Sequence, residues 1–204
     1  MYGMAVAAVD PMAEHHPAVV AGYDFSHSGE AALDRAVLLA GRAPEHVLHI
    51  LCVIDPKHGV PSIPDYDGID YTYAARVQEA LAITVRECCE RLGVSSRFTF
   101  FVHARIGKAA DEVLQLARDV GASLIIVGSH GLTGIERVLL GSTSERVVRE
   151  AHCSVEVARL TTYPEVVLVP VVEVPHAAQK YVPPHRYEYE DRRVVMRPND
   201  WPLL

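Results

Sequence analysis

The chain has 204 residues, half of them hydrophobic, which suffices for one well-buried domain with extra segments and is tight for two. Acidic residues outnumber basic ones 26 to 19, and the formal net charge of −7 argues against nucleic acid as a partner. No apolar run approaches the roughly 20 residues a membrane span requires. The start, M-Y-G-M-A-V-A-A-V-D-P-M, lacks a basic n-region and is broken by Asp10 and Pro11, so it does not read as a secretory signal. A cytoplasmic location away from membranes is the default expectation.

After a flexible N-terminal extension, residues 1–15, the elements alternate. Ala18 to Tyr23 is a short apolar strand, and Ser28 to Arg42 follows with Ala32, Val37 and Leu38-Leu39 at helical spacing. His46 to Ile54 reads as a second buried strand. Tyr73 to Leu92 then carries Val77, Leu81, Val85, Cys88 and Leu92 on one helical stripe. Arg97 to His103 gives a third strand, and Gly107-Lys108 opens a helix with Val113, Leu114 and Leu116-Ala117 inward. Ala122 to Val127 is a fourth strand, Ser142 to Glu150 a fourth helix, and Ser154 to Ala158 a fifth strand. This alternation predicts an α/β fold, a parallel sheet covered by helices on both faces through right-handed crossovers.

Two segments fall outside the pattern. Between the second strand and its helix lies D-P-K-H-G-V-P-S-I-P-D-Y-D-G-I-D-Y, rich in Pro, Gly and Asp, which reads as a mobile surface loop or a lid. Its Asp65, Asp67 and Asp70 lack the full calcium-loop pattern. Beyond Leu160 the chain joins an apolar stretch, Val166 to Val174, to a run of prolines and the single Trp. Residues 161–204 therefore read as an extended arm, packed on its own domain or a second subunit, or serving as a docking peptide.

The segment Gly128 to Ser142, G-S-H-G-L-T-G-I-E-R-V-L-L-G-S, places glycines and a hydroxyl between a strand and a helix N-terminus. Glycine admits positive φ and lets a ligand approach the backbone amides without meeting a Cβ atom. Ser142 is expected to cap the helix with Glu145 as its capping-box partner, and the amides and positive dipole end there favour an anion. An ordinary glycine-rich connection before a capped helix is the alternative.

G-x-x-G, nine residues, then G-S resembles the nucleotide-binding signature of the universal stress protein family, and Ser129-His130, Leu139-Leu140 and Ser144-Glu145 extend the likeness. It runs loosely over 16–160. The resemblance implies an open five-stranded sheet of order 3-2-1-4-5, Rossmann-like, whose ligand lies where the winding reverses, beyond the carboxyl ends of the strands. It implies phosphates on the backbone of Gly128, Ser129, His130, Gly131 and Gly141 to Ser144, Thr143 included, with the Ser142 and Ser144 hydroxyls helping. The base would lie near Asp24 and Val53, with Gly22, Tyr23 and Val127 close by. From the residues alone, Asp24 reads equally as a turn or helix-capping carboxylate. The implied ligand is ATP, or AMP or ADP, with or without Mg²⁺, in a regulatory role. The family often forms homodimers through the fifth strand, here Ser154 to Ala158; Ser154 stands where proline is common, and the C-terminal arm offers a second way to cover that edge.

Other chemistries find little support. Gly107-Lys108 lacks the first glycine and the hydroxyl of G-x-x-x-x-G-K-[ST], and neither G-x-G-x-x-G nor G-x-S-x-G occurs where it would be needed. The 11 histidines are scattered without ligand spacing, so no metal site is expected, and the four cysteines read as free thiols in the fold's interior. No catalytic residues are indicated; hydrolysis or kinase activity would at most be slow. A scaffold that works through its C-terminal arm, without nucleotide, is the second reading.

Overall fold

The computed structural model describes residues 17–64, 68–95, 97–129 and 140–159, together with the backbone of 186–190 and 193–197. Five parallel strands form one sheet: β1 (Ala18–Gly22), β2 (Val47–Ile54), β3 (Thr99–Ile106), β4 (Ala122–Gly128) and β5 (Ser154–Ala158). Their order is β3-β2-β1-β4-β5. Helices α1 (His27–Arg42), α2 (Tyr71–Arg91), α3 (Ala109–Asp119) and α4 (Ser142–Glu150) make the crossovers. The expected α/β architecture and winding are those observed.

Alternation within the strands sorts the core into two layers. Val19, Ala21, Leu48, Ile50 and Ile126 pack with α1 and α2 residues such as Leu33, Val37, Val77 and Leu81. Val20, Leu51, Ile125 and Val127 pack with Val113, Leu116 and Ala117 of α3 and Val147 of α4. β1 bonds to β2 on one side and β4 on the other, so it is buried on both faces and along both edges. Hence every residue from Val19 to Ala21 is apolar and at most 2% exposed.

β3 departs from its expected bounds. It starts at Thr99 and continues past His103 to Ile106, pairing residue for residue with Val47–Ile54. The charged Arg105 is tolerated there because Asp119 accepts from it at 2.9 Å and Glu112 lies 3.7 Å away, both on α3. The loop after β2 is also more organised than its composition implies. The Tyr73 hydroxyl accepts from the Val60 N–H at 2.7 Å and donates to the Ile63 carbonyl at 2.8 Å, and Asp55–Gly59 and Val60–Ile63 form bridges. Asp70 is the N-cap of α2, accepting from the Tyr73 N–H at 2.9 Å. Residues 65–67 lie outside the described residues.

All four cysteines are free; Cys52 and Cys88 are buried, Cys89 and Cys153 half-buried. Burial pushes the Cys52 and Cys88 thiols up to about 12, so both are protonated and unreactive at neutral pH. Among the described residues no helix is long and apolar enough to cross a membrane, and no cluster of three potential metal ligands occurs. Residues 163–204 separate as a second unit, whose described part is the antiparallel pair β6 (Arg186–Glu190) and β7 (Arg193–Arg197).

On the layer opposite α1, His49 Nδ1 and His103 Nε2 meet at 3.0 Å, and Phe101 stacks on His49 with ring centroids 5.1 Å apart. Burial, with His49 and Arg105 nearby, lowers His103 to about 4, against an unfolded value near 6.5. The unfolded chain thus gains a proton that the folded one refuses, and stability present above pH 6.5 is lost as the pH falls toward 4. Denaturant titrations at pH 7 and pH 4.5 should show a loss of about 1–2 kcal/mol attributable to this half-buried pair, solvent screening reducing the full linkage value. His103→Phe should flatten that dependence while keeping the stack.

Candidate functional site

The winding reverses between β1 and β4, and the helices that follow these strands, α1 and α4, pack on opposite faces of the sheet. A cavity of about 410 Å³ opens there, within the range of small-ligand sites. Gly22, Tyr23 and Asp24 line it from the end of β1, and Leu51, Val53 and Asp55 from the end of β2. Val127 and Gly128 close it from β4, Ala109 and Val113 from α3, and Gly141 to Ser144 from the start of α4.

The β1 side is built around a carboxylate. Asp24 Oδ1 accepts from the Ser26 N–H at 3.1 Å and from the Ser26 hydroxyl, while Ser26 caps α1 by accepting from the Gly29 N–H at 3.1 Å. Asp24 is therefore the brace behind the cap rather than the cap itself. Its second oxygen has no hydrogen-bond partner among the described residues. Phe25 turns the chain at φ 60°, a conformation disfavoured for a bulky side chain, and its ring meets Tyr23 edge-on at 4.8 Å. A Cβ on Gly29 would lie 2.5 Å from Asp24 Oδ1, so this helical glycine makes room for the carboxylate. Burial, with Glu30 and Asp24 nearby, pushes the Tyr23 hydroxyl up to about 12, and it remains a neutral wall residue.

The α4 side is built around backbone amides. Gly141, not Ser142, is the N-cap, and no side chain caps the helix. The expected capping box is absent because the Gly141 N–H is drawn to the Ser129 carbonyl at 2.7 Å, which advances the helix start by one residue. The amides of Ser142, Thr143 and Ser144 thus lack an intrahelical partner at the cavity's edge. The Ser142 and Thr143 hydroxyls are unpartnered among the described residues. Ser144, 5% exposed, donates its hydroxyl to the Gly128 carbonyl at 2.6 Å, so that proton is committed to the fold.

Ser129 does not line the cavity. It is 5% exposed, and its N–H donates to the Ala158 carbonyl at 3.0 Å, tying β4 to β5. His130 and Gly131 lie outside the described residues. Sequence reasoning missed Asp55, Gly29, Leu51, Ala109 and Val113 among the lining residues. Asp55 had a signal, a carboxylate directly after an apolar run, as Asp24 is. Gly29 had one too, a glycine in the first turn of a helix where alanine would be more stable. Ala109 and Val113 carry no local mark.

Residues 17–159 match the family model described as the universal stress protein family. The chain belongs to the universal stress protein family. A putative universal stress protein of Staphylococcus epidermidis is 34% identical over 166 residues, covering 80% of this chain and 95% of that one. A universal stress protein of Methanocaldococcus jannaschii is 33% identical over 144 residues, 69% of this chain and 81% of that one. In fold, the universal stress protein UspA from Lactobacillus plantarum superposes with a TM-score of 0.55 at 24% identity, over 71% of this chain and 98% of that chain.

This universal stress protein depends on Gly128 for its cavity, since a Cβ there would lie 2.4 Å from the Ser28 carbonyl oxygen, on rigid backbone. Gly128→Ala should cost about 2–3 kcal/mol by chemical denaturation. Gly22→Ala would meet the Val127 side chain at 3.4 Å and the Val113 side chain at 3.7 Å, ordinary contact distances, and should cost less than about 1 kcal/mol. Ser144→Ala, which leaves the Gly128 carbonyl without its donor, should cost about 1–2 kcal/mol.

Proposed function

We propose that the cavity binds an adenine nucleotide, ATP or its di- or monophosphate, and that occupancy is regulatory. The observation that carries this reading is the division of the cavity's polar groups. The α4 end offers amides and hydroxyls that are unpaired among the described residues, and the positive end of a helix dipole, which suit phosphate oxygens. The β1 and β2 ends offer carboxylates, which repel phosphate and accept from the donors of a base or sugar. Gly141, the cap of α4, presents no side chain where a ligand would approach the backbone, while Gly29 and Gly128 let Asp24 and the first turn of α1 pack close enough to shape the cavity.

In this reading the phosphates rest on Gly128 and Gly141 to Ser144, with Ser142 and Thr143 as hydroxyl donors, and continue onto His130 and Gly131, while Ser129 braces the sheet. Tyr23, Val53 and Val127 form apolar walls for the base, and Asp24 accepts from its edge or from the sugar. Mg²⁺ would accompany a triphosphate on its phosphate oxygens. The output passes through a homodimer formed at the β5 edge, where Ser154 to Ala158 bonds to β4 on one side only among the described residues. The site of action is the cytoplasm.

Millimolar ATP should raise the melting temperature by several degrees; saturation at 100 times Kd corresponds to about 2.7 kcal/mol. Absence of any shift, together with absence of nucleotide in gently purified protein, would sink the reading. Ser142→Asp puts a carboxylate at the α4 N-terminus, where it suits the helix but opposes a phosphate. It should leave the unliganded melting temperature within a few degrees while weakening ATP binding about tenfold or more in calorimetry.

A further inference from the structure

Asp55 is held in place by three donors, yet only half of its carboxylate is used. Its Oδ1 accepts from the Lys57 N–H at 2.8 Å and the His58 N–H at 2.9 Å, and lies 3.1 Å from Nδ1 of the His58 ring. Those contacts fix the side chain, which lines the cavity directly beyond β2, two residues past Val53. Oδ2 has no hydrogen-bond partner among the described residues. The turn amides of Lys57 and His58 hold the carboxyl below the usual range, so at neutral pH it is an acceptor only.

An oriented anion with one open oxygen is a poor neighbour for phosphate and a good one for a hydroxyl. β2 is the strand hydrogen-bonded to β1 on the side away from the reversal. In dinucleotide-binding sheets, an acid about 20 residues beyond the first strand's glycine turn accepts from the ribose 2′-hydroxyl, and Asp55 offers the same chemistry here without that glycine fingerprint. Here the same end also carries Val53, so a base lying against Val53 brings its sugar within reach of the next residues outward.

We propose that Asp55 Oδ2 accepts a ribose hydroxyl, and that this contact is what lets the cavity prefer ribonucleotides to deoxyribonucleotides. The assignment rests on the nucleotide reading of the cavity. It also gives the long loop after β2 a function: its first turn, from Asp55 to Gly59, aims the carboxylate, so loop and ligand selection are linked.

The test is calorimetric titration of the full chain with ATP, 2′-deoxy-ATP and 3′-deoxy-ATP. A hydrogen bond from the 2′-hydroxyl to a charged acceptor at a wet cavity mouth predicts about tenfold weaker binding for 2′-deoxy-ATP, and a loss confined to 3′-deoxy-ATP overturns the ribonucleotide preference. Asp55→Ala should bring 2′-deoxy-ATP level with ATP, chiefly by weakening ATP. Asp55→Asn keeps an acceptor for the Lys57 and His58 amides and serves where the alanine variant fails to fold; it should at least halve the discrimination. Equal binding of all three nucleotides by the native chain overturns the proposal while leaving nucleotide binding intact, as does discrimination that survives both substitutions. No binding of any of the three overturns the nucleotide reading itself and this assignment with it.

Discussion

The end of β4 passes the first turn of α1 so closely that Gly128 has room for no side chain; a Cβ would sit 2.4 Å from the Ser28 carbonyl oxygen. The rest of the cavity follows from that approach. With β4 held there, the Gly128 carbonyl receives the Ser144 hydroxyl and the Ser129 carbonyl receives the Gly141 N–H. These two bonds set where α4 begins, and the Ser129 N–H to Ala158 bond fixes β5 beside it. A single missing methyl group thereby positions a strand end, a helix start and a sheet edge.

The same approach explains why the polar groups of the cavity are segregated. Chain leaving β1 must turn sharply to place α1 against Gly128, and it does so through Phe25 at positive φ with Asp24 bracing the cap. Carboxylates are natural in such turns because they accept from the amides that the turn exposes. The β4 to α4 connection instead ends on a glycine cap, which leaves amides unspent. One side of the cavity is therefore rich in acceptors and the other in donors, an asymmetry that orients any ligand with one anionic end.

Much of this was legible in the sequence, and the reasons differ by element. β1, β2 and β4 are buried on both faces, so their runs of Val, Ile, Leu and Ala stand out against any neighbouring segment. β3, at the sheet edge, runs from Thr99 to Ile106 rather than from Arg97 to His103, and the α3 carboxylates that pair with Arg105 explain why the strand carries a charge past His103. The cap of α4 was misplaced by one residue for a similar reason. Ser142 is the better N-cap by type, but a distant hydrogen bond to Ser129 recruits Gly141 first.

The sequence by itself determined the alternation of strands and helices and the glycine signature near the fourth strand. It also marked the carboxylate after the first strand, because periodicity and turn chemistry are written locally. Strand order, the meeting of Asp24, Asp55 and the α4 amides around one cavity, and the commitment of Ser144 and Ser129 to bracing were decided by tertiary structure. Those features depend on contacts between residues more than a dozen positions apart, such as Gly128 with Ser28 and Ser129 with Ala158. No local pattern encodes a distance between segments; the packing of two helical layers on one twisted sheet supplies it.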